Sequence, residues 1–167
     1  MYKSLAKKEM LKEIEEKENN KEGCYMNILL LNYYISENKI VPYITIYDII
    51  NDVVVHEEYI DTNNKVLFRQ TIFMLAIKYN ISRIKYSNTG IGMIYDELLK
   101  DMFLDDCKLI KKVTLSTHTI HDILATHMEY FDNERIEMRI NGKLAYNTKG
   151  LSDIELKKYN TLLLVLG

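Results

Sequence analysis

Small and polar side chains crowd into one run, Ser87-Asn88-Thr89-Gly90-Ile91-Gly92, inside the longer stretch YNISRIKYSNTGIGMIYDELLKD from Tyr79 to Asp101. Ile81 to Tyr86 reads as a short buried strand and Met93 to Asp101 as a helix, so the run is a strand-to-helix crossing. Such crossings supply sites in open α/β sheets, because strand carboxyl ends and the first N–H groups of a helix face one crevice. Gly90 and Gly92 permit positive φ and close backbone approach there. A plain turn between strand and helix accounts for Asn88-Thr89-Gly90 equally well.

The other chemistry-bearing groups are scattered. His118 and His121 stand three apart with Asp122 between them and His127, but zinc needs a third and a fourth ligand in a compact group, so this helix reads as structural. Arg135, Arg139 and Lys143 lie on one candidate hairpin arm that could touch phosphates, and ordinary charge balance on a solvent face explains them as well. The chain holds no GxSxG elbow, no Walker phosphate loop and no HExxH pair, which leaves serine-hydrolase, P-loop ATPase and zinc-protease chemistry without support.

Those groups need a scaffold, and the chain is long enough to supply one. Its 167 residues, 47% hydrophobic and 28% charged, suit a single domain with one buried core. A formal net charge of −2 gives no global attraction to nucleic acid, so any such contact needs a local basic patch. Cys24 and Cys107 stand apart with no metal spacing, which suits a reducing compartment. Neither a signal peptide nor an apolar run of about 18 residues is present, so the expectation is a cytoplasmic protein with no membrane partner.

Residues 1–23 read as a charged N-terminal helix or linker, with a thin apolar stripe at Leu5, Met10, Leu11 and Ile14, and the globular domain runs over 24–167. Tyr25 to Tyr34 is apolar on both parities, as in a strand covered on both faces. Pro42 marks the start of a second strand, Asn51-Asp52 a hairpin turn, and VVVHEEYI a third strand. A cap at Asp61 to Asn64 precedes a helix over Lys65 to Tyr79. Beyond the crossing come a strand in CKLIKKVTL and a helix from Thr117 to Phe131. A hairpin about Asn141-Gly142 follows, suited to a type I′ turn, and a last helix is capped by Ser152 or Asp153. The expected fold is α/β, a mixed sheet flanked by helices with an extra C-terminal β-hairpin. Three meandering strands followed by αβ units is the order of the ribonuclease H-like fold.

That order and its motifs resemble the nuclease domain of viral and phage large terminase subunits, which cut concatemeric DNA during packaging. The resemblance covers roughly residues 24 to 167. NILLLNYYISENKIVPYITIYDI has the outline of the family's opening strands, and KYSNTGIGMIYDELL is the nearest local match, to a loop like DNTGVG and a helix like VVDEL. HTIHDILATHMEYF, RIEMRINGKLAY and LSDIELKKYNTLLLVL follow the closing segments.

The resemblance implies a two-metal site, in which about three carboxylates hold two divalent cations roughly 3.5–4 Å apart. Asn32 stands at the first acid's position and Ser87 at the second; the third has Asp153, with Glu155 nearby. Amide and hydroxyl oxygens are weak substitutes for carboxylates on Mg²⁺. The resemblance therefore implies a degenerate nuclease site with no cofactor, serving as a binding or structural module in DNA packaging or virion assembly. The partners then expected are DNA, a packaging ATPase, which this chain does not contain, or other virion proteins. The alternative is an active Mg²⁺- or Mn²⁺-dependent endonuclease in which acids have moved, with Asp153 and Asp48 as metal ligands and Glu37 or Asp96 contributing oxygens. Ordinary solvated carboxylates are the simpler reading of those acids. A cellular adaptor on the same fold is a third possibility.

Overall fold

The computed structural model describes residues 25–100, 102 and 109–167. The segment 1–23, Cys24 and Cys107 lie outside the described residues. Strands β1 (Asn27–Ser36), β2 (Lys39–Asp48) and β3 (Val53–Tyr59) form a meander. Helix α1 (Lys65–Lys78), strand β4 (Ile81–Ser87), helix α2 (Met93–Leu99) and strand β5 (Ile110–Val113) follow. Then come α3 (Thr117–Thr126), a hairpin of β6 (Ile136–Met138) and β7 (Leu144–Tyr146), and α4 (Asp153–Leu166).

The five strands make one mixed sheet in the order β3-β2-β1-β4-β5, with the hairpin as a separate two-stranded sheet. β1 runs antiparallel to β2 and parallel to β4, which in turn runs parallel to β5. An α/β domain with a C-terminal hairpin is thus what the chain forms.

β1 sits at the sheet's centre, and this explains its lack of alternation. Leu29 and Leu31 pack with Phe68, Ile72 and Leu75 of α1 and Tyr95, Leu98 and Leu99 of α2 on one face. Ile28 and Leu30 pack with Leu164 and Val165 of α4 on the other. Burying each such side chain contributes about 1.5–3 kcal/mol before entropy is counted, so the two-sided strand anchors both layers. A third cluster joins Ile123 and Leu124 of α3, Phe131, and Leu162 and Leu163 of α4, with Ile136, Leu144 and Tyr146 of the hairpin against it.

Three sequence expectations shift. Pro42 lies inside β2, which begins at Lys39. Its carbonyl accepts from Ile60 N, so the missing N–H faces the side just past the end of β3, where no ladder bond is lost. The helix expected to reach Phe131 ends at Thr126: His127 leaves helical geometry (φ −125°, ψ 37°) and a tight turn over Met128–Tyr130 follows. That turn delivers Phe131 edge-on to Tyr146 and Tyr159, with centroids 5.8 and 6.2 Å away, so its burial comes from a corner and not from a helical stripe. The strand expected in CKLIKKVTL is only Ile110–Val113 among the described residues. The Asn-Gly hairpin forms as expected, with φ of 64° at Asn141 and 72° at Gly142.

Candidate functional site

Leu31 on β1 is paired with Tyr86 on β4, so one residue further on Asn32, midway along β1, stands beside Ser87 at the carboxyl end of the parallel strand β4. Strand spacing puts their backbones about 4.8 Å apart. Alternation gives both residues the face that α4 covers, the same face on which Leu30 meets Leu164 and Lys85 Nζ donates to Val165 O at 3.1 Å. The two positions at which the family resemblance expects acids are therefore neighbours.

Asn32 is 7% exposed. Its Oδ1 accepts from Tyr33 N at 3.3 Å, while its Nδ2 is buried with no hydrogen-bond partner. The buried Tyr95 hydroxyl donates to Asn32 O from the opposite face and fixes the strand there. Ser87 Oγ lies 2.8 Å from Thr89 Oγ1 and accepts from Thr89 N at 3.3 Å. Thr89 Oγ1 also accepts from Leu115 N at 3.2 Å, and Asn88 N donates to Val113 O at 2.9 Å, tying the crossing loop to β5.

The two glycines of that loop act differently. Gly90 has φ 58°. Gly92 has an ordinary helical φ, but a Cβ there would lie 2.2 Å from Ser87 O, so the chain turns back onto its own strand end.

The third expected acid lies apart from this pair. Asp153 is the first residue of α4, exposed, just after Ser152, whose side chain and that of Glu155 form a reciprocal cap. The helix residue level with Asn32 is Asn160: its Nδ2 donates to Tyr33 O at 2.8 Å and its side chain bonds Tyr43, the β2 partner of Asn32. Seven residues of helix separate Asp153 from Asn160, about 10 Å. Asp153 is instead close enough to Tyr34 for its charge to raise that phenol's pKa. Sequence reasoning missed Asn160. Its spacing of two helical turns puts it on one face with Asp153, but that does not say which strand residue either of them meets.

The acids considered as replacements are elsewhere. Asp48 pairs with Asn27, at the other end of the sheet, five residues and about 16 Å along β1 from Asn32. Its Oδ1 accepts from Met26 N, Ile50 N and Asn51 N, and its Oδ2 from Asn51 Nδ2 at 2.6 Å, so it holds the β2–β3 turn together. Asp96 accepts from Tyr86 Oη and Lys112 Nζ, both at 2.7 Å, on the α1–α2 face. The Lys112 ammonium, with help from Tyr86, holds its carboxyl below the usual range. Glu37 is exposed in the β1–β2 turn with φ 50°. Among the described residues no three His, Cys, Asp or Glu side chains converge in a metal-holding group.

His118, His121, Arg135 and Arg139 have partners within the fold. His121 Nδ1 accepts from Leu144 N at 2.7 Å, joining α3 to the hairpin, and His118 pairs with Asp122 at 3.4 Å on the exposed side. Arg135 Nη1 donates to Asn147 O and Lys149 O and braces the hairpin's base. Arg139 is paired with Glu137 at 2.7 Å, while Lys143 is exposed beside the turn. No helix among the described residues is long and apolar enough to cross a membrane.

Here, then, Asn32 and Ser87 are neighbours on β1 and β4, and Asn160 of α4 bonds the backbone next to Asn32 and the Tyr43 side chain of β2. Amides and a hydroxyl can orient a polar ligand by hydrogen bonds, but they bring no negative charge to a cation. Comparison with known proteins finds no matching family model and no matching curated sequence.

Proposed function

We propose that this chain is a ribonuclease H-like domain of the terminase-nuclease type whose metal cage has lost its acids. It serves as a non-cleaving binding or structural module in viral DNA packaging or virion assembly. One observation carries the reading: the β3-β2-β1-β4-β5 order brings Asn32 of β1 beside Ser87 at the end of β4, on the face the C-terminal helix covers. An ancestral pair of carboxylates at those two positions would have faced one cation site. The packaging context rests on the likeness of SNTGIGMIYDELL to the family's loop and helix. The partners proposed are DNA, a packaging ATPase or another virion protein.

An active enzyme with relocated acids fits the geometry less well, since Asp48 and Asp153 lie at opposite ends of β1's neighbourhood and cannot share a metal pair roughly 3.5–4 Å wide. Supercoiled plasmid incubated with Mn²⁺ is the test. The expected result is no nicking and no calorimetric Mn²⁺ binding. Nicking that disappears in Asp153→Ala would replace this reading with that of a working endonuclease.

A further inference from the structure

The proposed role leaves unused a cavity on the other face of the sheet, behind Asn32. Tyr33, the next residue along β1, takes the face that α1 and α2 cover. There a cavity of about 350 Å³ opens between the β1–β2 hairpin, the β3–α1 loop and the crossing into α2. That volume lies within the range of small-molecule sites, roughly 300–1,000 Å³. Its apolar wall is made by Ile40 of the hairpin, Ile60 just after β3, and Ile91 and Ile94 of the crossing and α2, with the rings of Tyr33 and Tyr95 among them.

Hydrogen bonds hold these walls in place. Ile60 N donates to Pro42 O at 3.3 Å, and Tyr95 Oη donates to Asn32 O. Tyr33 Oη takes the Ile91 N–H, which fixes the ring against the crossing loop. Among the described residues Asp61 is the one charged side chain that lines the cavity. Its Oδ1 accepts from Asn63 N at 2.8 Å, and no ammonium or guanidinium among the described residues pairs with it. Ile40 and Ile94 are 52% and 39% exposed, so part of the apolar wall stays in water until something covers it. A carboxylate without a counter-ion and two aromatic rings both favour a cation and disfavour an anion. The exposed isoleucines favour an apolar body attached to that cation.

We propose that this cavity binds a small organic cation: a protonated primary amine on an aryl or branched alkyl body, with its ammonium at Asp61 and its body among the isoleucines. The site stands apart from the nuclease-like reading, since Asn32, Ser87 and Asn160 do not line it. A mere packing gap between loops would bind no such ligand and would show no preference of charge.

The test labels the isoleucine δ1 methyls of the full chain and follows them by NMR during titration with three probes of one shape and different charge. These are 2-phenylethylamine, 2-phenylethanol and phenylacetate. The expected result is saturable shifts of the Ile40, Ile60, Ile91 and Ile94 methyls, with Ile154 of α4 unmoved, and affinity falling from amine to alcohol to carboxylate. Asp61→Asn keeps an Oδ1 acceptor for Asn63 N. It should weaken the amine about fivefold, the factor for an exposed ion pair, while leaving the alcohol unchanged and strengthening the carboxylate. Asp61→Ser, which also keeps a turn-forming oxygen, repeats the comparison should the amide variant fail to fold. An amine that produces no saturable shift, shifts centred on other isoleucines, or a preference for amine over alcohol that survives both substitutions would overturn the proposal.

Discussion

Replacing Asn32 by Asp changes one atom in a side chain that is 7% exposed, and its cost can be worked out from the hydrogen bonds alone. Asn32 Nδ2 has no partner, so nothing is lost with it, and the Oδ1 acceptor for Tyr33 N remains. What is added is a buried charge. A carboxyl in such a place has its folded pKa raised by about 2–3 units over the unfolded value near 3.9, or about 3–4 kcal/mol at neutral pH. A raised carboxyl pKa makes the sign definite. Asn32→Asp should match the parent below about pH 4, lose stability as pH climbs to the folded pKa, and stay level above it. Adding Ser87→Asp puts a second carboxylate on the neighbouring strand about 4.8 Å away and deepens the loss. If these two positions retain the geometry of a cation site, Mn²⁺ should reverse it, returning about 2.7 kcal/mol at a hundred times its dissociation constant. Thermal melts of parent and double variant over a Mn²⁺ series at neutral pH read this directly. A double variant whose melting is indifferent to Mn²⁺, or a parent that gains as much, would refute the descent of this pair from a metal cage.

Gly92→Ala should cost about 3 kcal/mol in urea unfolding, because its Cβ would lie 2.2 Å from the backbone carbonyl of Ser87 and the crossing loop cannot yield without losing its ties to β5. A loss under about 1 kcal/mol would show that the loop adapts. Asp96, with its carboxyl held low by Lys112 and Tyr86, contributes stability above its unfolded pKa that is lost as pH falls through the folded one. Asp96→Asn should therefore flatten the acid limb of the stability curve below about pH 4 while costing under about 1 kcal/mol at neutrality, since the pair is half exposed and screened. An unchanged acid limb in that variant would rule the pair out as its source.

What the sequence disclosed about the sheet, it disclosed through strands whose burial leaves no choice. An unbroken apolar run marks a central strand because both faces are covered, and in β1 the residues Ile28, Leu29, Leu30 and Leu31 meet helices on both sides. The pairing of Asn32 with Ser87 was an expectation from the family resemblance alone, since β4 (ISRIKYS) mixes polar and apolar residues and does not announce its register against β1. Asn160 was not legible, because a polar residue on an amphipathic helix carries no mark of how far along the helix its strand partner lies. Lys85 was hidden by a different effect. It looks like a surface cation in the alternation of β4, yet it is 4% exposed, with its Nζ donating to Val165 O and Gly167 O. The long aliphatic stem crosses the layer and the ammonium serves the last carbonyls of α4, a use that local sequence does not announce.

Lys85 also bears on why the site is neutral. It stands two residues before Ser87 on the same face of β4, about 7 Å along the strand. A monovalent and a divalent cation about 10 Å apart repel by on the order of 3 kcal/mol at the effective dielectric of a protein near its surface. With carboxylates at Asn32 and Ser87 that repulsion would be outweighed; with an amide and a hydroxyl it is not. A buried ammonium fastening the end of α4 and a pair of divalent ions beside Ser87 are therefore competing solutions for the same layer. Charge on this edge is found instead about Lys157, whose ammonium meets Glu57, with Asp153 near Tyr34.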